Sequence, residues 1–401
     1  MTCRIPASPP PAAASAALPE PLTWIDEDLA ELAAAGLIRP RRIRQGRQGG
    51  RVVLDGRALV NFGSNDYLGY AGDVRLTKAA SKAACAEGFG AGASPLVSGH
   101  SQSHENLERA IAAWLGVEAA LVFPSGFATN SATIPAVVGE GDAVFSDERN
   151  HASLIDGCRL ARAAVQVYPH RDLAALDAAL RAAGFARRKL IVTDTLFSMD
   201  GTIAPLADLC ELAARHGAML LADEAHATGV FGERGSGLVE CLGCAGGVHI
   251  RVGTLSKAVG AAGGFVAGSG RLVEWLRHKA RAWMFSTAHP PAVAAAATRA
   301  IELVAAEPCR RRELLTRAAA FRDRLRSGGL DLGGAEAQVV PVVAGEAAAA
   351  VNLSARLAAA GCFVPAIRPP SVAPGRSLVR ASLSWLHSDD DLARLADALV
   401  G

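Results

Sequence analysis

Short apolar segments alternate with amphipathic segments along most of the chain after residue 115. The apolar segments are short enough for strands, and between them leucines recur at helical spacing, as over residues 172–180 and 206–216. Continuous apolar strands separated by helices are typical of a mostly parallel sheet that is covered on both faces. The pattern therefore predicts an α/β fold, with strands over residues 119–123, 143–146, 164–168, 190–194, 218–222, 250–252 and 264–267.

Both ends of the chain carry different patterns. Residues 24–37 have the spacing of an amphipathic helix with acidic residues in its first turn, and a hairpin is predicted over residues 52–62 around Asp55-Gly56. Beyond Pro290-Pro291 the pattern predicts one long helix to about residue 325 and then a smaller α/β domain. The elements predicted in that domain are a strand over 338–343, a helix over 347–360 and strands over 362–367 and 378–383.

These shifts in pattern divide the chain into four predicted parts. Residues 1–21 are rich in proline and alanine and are predicted to be a disordered tail. Residues 22–62 form an N-terminal helix and hairpin segment, residues 63–289 a large domain, and residues 290–401 a small C-terminal domain.

Composition narrows the classes of function. The 401 residues are enough for a large core and at least two domains. A formal charge of +2 gives no case for a nucleic-acid partner, and no apolar run has membrane-spanning length. The eight cysteines are scattered, as is usual for reduced thiols in a cytoplasmic enzyme. Cys241 and Cys244 are the one close pair, and without a second pair at ligand spacing no metal site is predicted.

One lysine lies where an amine can do chemistry. Lys257 ends the segment GTLSK (residues 253–257), directly after an apolar strand and before a glycine-rich turn. Taken alone, such a lysine is more often a surface residue of a loop. A partly desolvated lysine amine, however, suits a Schiff base with a carbonyl.

Further polar residues follow other predicted strands. Asp223 and His226 lie in DEAH (residues 223–226), and Ser125-Gly126-Phe127 opens a helix after the strand at 119–123. Since ligands of parallel sheets bind beyond the carboxyl ends of the strands, one shared site is expected. Lysine, carboxylate, histidine and an anion-binding turn are what pyridoxal 5'-phosphate requires of a protein.

The residues can be assigned to parts of this cofactor. Lys257 would bind the aldehyde, and Asp223 would pair with the pyridine nitrogen, which makes the ring an electron sink. His226 would reach the phenolic oxygen. Taken singly, Asp223 is equally well explained as a helix cap, and His226 is better explained as a polar loop residue.

The phosphate is assigned to a helix N-terminus. Free backbone N–H groups at Gly126 and Phe127 favour a dianion there, and Thr254 adds a hydroxyl. His151 is the candidate to stack on the ring, although a surface loop histidine is an equal reading. Ser198 follows a strand at a place where its hydroxyl could meet cofactor or substrate.

Five motifs occur in an order that resembles the α-oxoamine synthases, a family of fold-type I pyridoxal-phosphate enzymes. The resemblance implies a homodimer with shared sites, in which Asn65 and residues 285–287 come from the partner subunit. It also implies condensation of an amino acid with an acyl thioester, loss of carbon dioxide and release of the thiol, with Lys257 as base and His151 as acid. The motifs are NDYLG (65–69), SGFATN (125–130), FSMDG (197–201), DEAHATG (223–229) and GTLSK (253–257).

Within this family the segment AIRPPSV (residues 366–372) is similar to the biotin-pathway branch, which condenses L-alanine with a pimeloyl thioester. The resemblance implies that Arg39 and Ser371 contact substrate and that Arg380 binds the amino-acid carboxylate. Ser371 stands where threonine is usual, and Asp194 where glutamate is usual. Left open are a glycine-using sibling (2-amino-3-ketobutyrate ligase or 5-aminolevulinate synthase), a pyridoxal-phosphate-binding protein without turnover, and the choice of coenzyme A or a carrier protein as acyl carrier.

Overall fold

The computed structural model describes residues 20–184 and 186–401. The chain divides into two compact units, Met1–Arg41 and Arg42–Gly401. In the first unit, helix α1 (Trp24–Ala34) carries Asp26 and Glu27 in its first turn, where the helix dipole favours negative charge. The predicted helix is therefore confirmed, but it ends early because Gly36 adopts a positive φ of 66°. Of the predicted tail, residues 1–19 lie outside the described residues.

The second unit begins with the predicted hairpin, which is confirmed, and continues as alternating helices and strands. Its elements up to the end of the large sheet are β1 (Arg44–Gln45), β2 (Arg51–Leu54), β3 (Arg57–Asn61), α2 (Val74–Glu87), α3 (Gln102–Leu115), β4 (Ala119–Phe123), α4 (Gly126–Val137), β5 (Ala143–Asp147), α5 (Ala152–Leu160), β6 (Ala164–Tyr168), α6 (Leu173–Ala182), β7 (Lys189–Asp194), α7 (Leu206–His216), β8 (Met219–Asp223), α8 (Leu238–Cys241), β9 (Ile250–Thr254) and β10 (Gly264–Gly268).

Within the described residues these strands form a seven-stranded sheet in the order β4-β10-β9-β8-β7-β5-β6. The five strands from β9 to β6 pair in parallel, whereas β10 runs antiparallel to both β4 and β9. The seven predicted strands and the mostly parallel sheet are thus confirmed. The connection between β9 and β10 is short, and a parallel neighbour would need a longer crossover connection. This is why β10 runs antiparallel to β9.

The central strands of the sheet are buried on both faces. Along β8, Leu220 and Ala222 belong to one apolar cluster and Leu221 to the other, as the two-residue period of a strand requires. All three side chains are fully buried. This explains why the strand reads as a continuous apolar run rather than as an alternation.

The C-terminal part is a smaller α/β domain around a three-stranded sheet of the order β11-β14-β13. The elements from the end of the large sheet onward are α9 (Gly270–Lys279), α10 (Arg281–Met284), α11 (Pro291–Ala306), α12 (Pro308–Ser327), β11 (Val339–Gly345), α13 (Ala347–Ala359), β12 (Cys362–Phe363), β13 (Ala366–Ile367), β14 (Ser377–Ser382) and α14 (Asp389–Val400).

Two predictions for this part are wrong in detail. The single long helix after Pro291 is two helices, because Pro308 removes a backbone donor and forces the preceding Glu307 out of the helical conformation. The single strand over 362–367 is split into β12, which pairs in parallel with β3, and β13, which pairs with β14. Among the described helices, none has both the length and the apolar character needed to cross a bilayer.

Candidate active site

Three strands deliver polar side chains to the same edge of the large sheet. Asp194 ends β7, Asp223 ends β8 and Thr254 ends β9. Asp194 and Asp223 are direct neighbours in the strand register, and Asp223 pairs with Val252 of β9. The predicted convergence at the carboxyl ends of the strands is therefore present in the structure.

Lys257 lies three residues beyond β9 and is partly buried at this edge. Burial lowers the pKa of its amine to about 8, although the carboxylates of Asp223 and Asp194 act in the opposite direction. An amine with this pKa is partly uncharged near neutral pH and is therefore nucleophilic.

Asp223 is held by two donors. Its Oδ2 accepts a hydrogen bond from Asn130 Nδ2 at 2.6 Å, and its Oδ1 accepts one from the backbone N–H of Ala225 at 2.8 Å. The side chain is only 4% exposed. Two hydrogen bonds to a buried carboxylate fix its orientation and satisfy its oxygens. Asn130 was not among the predicted site residues, although it ends the SGFATN motif.

His226 is fully enclosed by the fold. Its Nδ1 lies 2.6 Å from the hydroxyl of Tyr67, and its backbone oxygen accepts a hydrogen bond from Gln338 at 2.8 Å. Burial, with the positive charges of Lys257 and Arg380 nearby, lowers the pKa of His226 well below its usual value. The ring is therefore neutral at physiological pH. Tyr67 and Gln338 were missed because nothing in the sequence links them to residue 226.

His151 lies at the start of α5 beside these groups. Its backbone N–H donates to Asp194 Oδ2 at 2.7 Å. Burial and the charge of Lys257 lower the pKa of its imidazole, whereas Asp223 raises it. These mutual electrostatic effects show that Lys257, Asp223 and His151 are neighbours, and their shared role in one site stays a prediction.

The buried Asp194 also belongs to this cluster. Burial and the neighbouring Asp223 raise the pKa of Asp194 well above its usual value. In the sequence analysis Asp194 appeared only as a residue that differs from the glutamate usual in the family.

The N-terminus of α4 faces the turn that follows β9. Ser125 Oγ caps the helix by accepting from Ala128 N at 3.0 Å, which leaves the N–H groups of Gly126 and Phe127 without intrahelical partners. A Cβ added to Gly126 would lie 3.5 Å from the Thr254 side chain, so the helix end and Thr254 are neighbours. The phosphate was assigned to this place from the sequence, and that assignment stays a prediction.

Arg380 lies on β14 and reaches the same region. Its guanidinium donates to the backbone oxygen of Ser198 at 2.9 Å and to Asn65 Oδ1 at 2.9 Å. Its buried Nε has no hydrogen-bond partner within the described part of the chain. Asn65 was expected to come from a partner subunit, but here it contacts Arg380 of its own chain. A buried guanidinium with a free N–H suits a carboxylate.

Three predicted residues are less closely tied to this cluster. Ser198 is 9% exposed, and its carbonyl anchors Arg380. Ser371 is exposed in the loop between β13 and β14, where its N–H donates to Arg368 O at 3.0 Å. Arg39 belongs to the first unit, so its role stays a prediction.

Comparisons with known proteins place this site in context. Residues 57–399 match the family described as aminotransferase class I and II. An 8-amino-7-oxononanoate synthase of Symbiobacterium thermophilum is 47% identical over 94% of this chain and 97% of that protein. The enzyme of that name from Anaeromyxobacter dehalogenans is 49% identical over 94% and 96%.

A solved structure has the same fold. The serine palmitoyltransferase of S. paucimobilis with a bound PLP–myriocin aldimine superposes with a TM-score of 0.90 at 30% identity, covering 95% of this chain and 98% of that one.

Proposed function

Because the chain belongs to the aminotransferase class I and II family, and within it to the 8-amino-7-oxononanoate synthases, we infer that it is a pyridoxal-phosphate-dependent acyltransferase. It condenses L-alanine with a pimeloyl thioester, with loss of carbon dioxide, and so forms 8-amino-7-oxononanoate for biotin biosynthesis. The observation that carries this proposal is the meeting of Lys257, whose amine has a pKa of about 8, with the buried Asp223 at one edge of the sheet.

The residues at this edge fit the cofactor. Lys257 would bind its aldehyde, Asp223 would face the ring nitrogen, and the N-terminus of α4 with Thr254 would hold the phosphate. The fit rests on the chemistry of the donors: a depressed lysine pKa, a carboxylate held by two N–H groups, and a free helix N-terminus. The bound cofactor supplies an electron sink for negative charge at the α-carbon of the amino acid.

Lys257 and His151 handle protons in this scheme. Once its amine is free, Lys257 accepts the α-proton, a task that requires a neutral amine and therefore a lowered pKa. His151 would lie against the cofactor ring and would donate a proton toward the thioester carbonyl. His226 stays neutral because it is buried, and it would contact the phenolic oxygen without adding charge.

Arg380 orients the amino acid. We assign the alanine carboxylate to its guanidinium, whose Nε lacks a partner within the described residues and whose other nitrogens are fixed by Ser198 and Asn65. Alanine and glycine have the same carboxylate, so a preference for alanine would depend on contacts with its methyl group. Ser371 and Arg39 are proposed contacts for the acyl substrate.

We also propose that the protein works as a homodimer. Two adjoining loops expose large apolar side chains: Phe89 is 81% exposed, Val97 78% and Phe285 67%. The loops are joined by a hydrogen bond from Ala288 N to Ala93 O at 3.0 Å. Burying such side chains against a second copy removes apolar surface from water. For the location we propose the cytoplasm, where the free thiols of the described cysteines are stable.

The proposed function is tested by measuring thiol release from purified holoenzyme. Alanine, glycine and serine are each paired with acyl thioesters of graded length, carried by coenzyme A or by a carrier protein, and the products are identified by mass spectrometry. We expect the highest kcat/KM for alanine with a pimeloyl thioester. Faster turnover with glycine would favour a sibling activity, and cofactor binding without thiol release for any pair would contradict the enzyme assignment.

A further inference from the structure

We propose that Ser153 and Asn130 form a hydrogen-bonded bridge between His151 and Asp223, and that this bridge places the proton of neutral His151 on Nε2. Both are positioning residues, because they act through His151 and Asp223. The inference rests on the proposed function, since it explains how the acid of that reaction is oriented.

The bridge is continuous in the structure. His151 Nδ1 lies 2.7 Å from Ser153 Oγ, and Ser153 Oγ accepts a hydrogen bond from Asn130 Nδ2 at 3.0 Å. The same Asn130 nitrogen donates to Asp223 Oδ2 at 2.6 Å. Three hydrogen bonds therefore join the residue that we assign to the face of the cofactor ring and the residue that we assign to its nitrogen.

The orientation of the Asn130 amide follows from its neighbour. Asn130 Nδ2 donates to Asp223 Oδ2 at 2.6 Å, so the amide turns its nitrogen toward Asp223. Both of its N–H groups are then used, one on Asp223 and one on Ser153. Its oxygen has no partner in the described part of the chain, and the residue is 1% exposed. The two hydrogen bonds that the amide donates explain why this orientation is kept although it leaves the buried oxygen without a partner.

The direction of the Ser153 hydroxyl follows in turn. Its oxygen accepts from Asn130, so its own O–H is free to donate to His151 Nδ1. The backbone N–H of Ser153 also donates to Nδ1, at 3.2 Å. Nδ1 thus faces two donors and acts as an acceptor. In a neutral imidazole the proton must then lie on Nε2, the nitrogen on the far side of the ring, which can donate it to a substrate.

Substitutions at Ser153 distinguish a role in orienting the His151 proton from a role in packing alone. Ser153→Ala removes the O–H donor from Nδ1 and the acceptor from Asn130, whereas Ser153→Thr keeps a hydroxyl. Ser81→Ala, on the exposed face of α2, is the matched control. Each variant is first checked for unchanged thermal unfolding and full cofactor content.

The decisive readout is the histidine tautomer, measured by long-range proton–nitrogen NMR on holoenzyme labelled at the imidazole nitrogens. The His151 signals are assigned by their absence in His151→Asn. We expect wild type, Ser153→Thr and Ser81→Ala to carry the proton on Nε2, and Ser153→Ala to populate the Nδ1-protonated form. The kcat of Ser153→Ala should fall roughly 10- to 100-fold, with the KM for alanine little changed and the pH profile of kcat shifted.

An unchanged tautomer and pH profile in Ser153→Ala would overturn the bridge. This outcome is distinct from failure of the proposed function, in which the wild-type enzyme itself releases no thiol. The tautomer is measured without turnover, so it tests the bridge in either case.

Discussion

Arg251 and Glu224 form a buried ion pair next to the candidate site, with an N–O distance of 2.7 Å and side chains that are 3% and 2% exposed. Arg251 also donates to the backbone oxygens of Leu115 and Ser236, and Glu224 accepts from Val239 N at 2.8 Å. The pair therefore anchors the loop that follows Asp223 to β9 and to α8.

Replacing only one member of this ion pair should destabilise the fold. In Arg251→Met the carboxylate of Glu224 stays buried without its partner, and we expect a loss of ~3–5 kcal/mol in the free energy of unfolding. Denaturant unfolding measures it. Arg159→Met, which removes an exposed pair with Asp156, is the control and should change stability by less than ~1 kcal/mol. If Arg251→Met/Glu224→Gln is no more stable than Arg251→Met, the uncompensated charge is not the cause.

Lys257→Ala should lose both catalysis and the covalent link to the cofactor. We expect kcat to fall by ~10²–10⁴-fold or more, because the variant lacks the base that is proposed to accept the α-proton. Thiol release measures the first effect. Borohydride reduction followed by mass spectrometry measures the second. Lys82→Ala on the exposed face of α2 should behave as wild type. Cofactor mass retained on the reduced variant would contradict the role of Lys257.

The pH dependence of covalent cofactor attachment should reveal the lowered pKa of the Lys257 amine. Because burial lowers the pKa of Lys257 to about 8, the neutral fraction of the amine increases as pH rises through that value. The rate at which apoenzyme takes up cofactor covalently should therefore rise between pH 7 and 8 and level off above about pH 9. Stopped-flow absorbance follows this rate. A rate that keeps rising with the slope expected of an ordinary lysine to pH 10 would show that the amine is not desolvated.

Arg380→Lys should weaken the binding of alanine more than that of the acyl thioester. Lysine keeps the charge but loses the planar fork that binds a carboxylate through two nitrogens. We expect the KM for alanine to rise about 10- to 100-fold, equivalent to ~1.4–2.8 kcal/mol, and the KM for the thioester to change little. Steady-state kinetics with each substrate varied in turn measures both. Arg376→Lys, in an exposed loop nearby, is the control, and an equal rise in both KM values would argue against a carboxylate site.

His387 should make the fold sensitive to acid. Burial lowers its pKa from 6.5 to about 4 in the folded protein, and its Nε2 lies 3.0 Å from Asn61 O. Between these values the unfolded chain binds the extra proton, so the stability contributed by neutral His387 is full above pH 6.5 and is lost as pH falls toward 4. The expected loss is about 3 kcal/mol.

Comparison with His387→Gln isolates this effect from other titrating groups. The stability advantage of wild type over the variant, measured by denaturant unfolding, should shrink as pH is lowered from 7 to 4.5. An advantage that is independent of pH would show that His387 does not titrate on unfolding.

The sequence predicted the groups that lie at strand ends, since each strand has an unmistakable apolar pattern and parallel strands end at one edge. Lys257, Asp223 and Thr254 were predicted in this way. Asn130, Tyr67 and Gln338 were not, because their partners lie far away in the chain and a hydrogen bond between distant residues leaves no local pattern.

The two errors in the C-terminal part have a similar origin. One long helix was predicted because the composition rich in alanine, arginine and leucine is similar on both sides of Pro308. The division of residues 362–367 between two sheets depends on β3 and β14, and pairing between distant strands is not encoded in a short apolar run.

The antiparallel β10 has a consequence for the order in which the site can be assembled. The turn after β4, to which we assign the phosphate, and the lysine after β9 are far apart in the sequence, and β10 pairs with both strands. During synthesis the turn leaves the ribosome long before Lys257, but the strand that brings the two together follows the lysine. A nascent chain therefore cannot complete the proposed cofactor site until residue 268 has emerged from the exit tunnel.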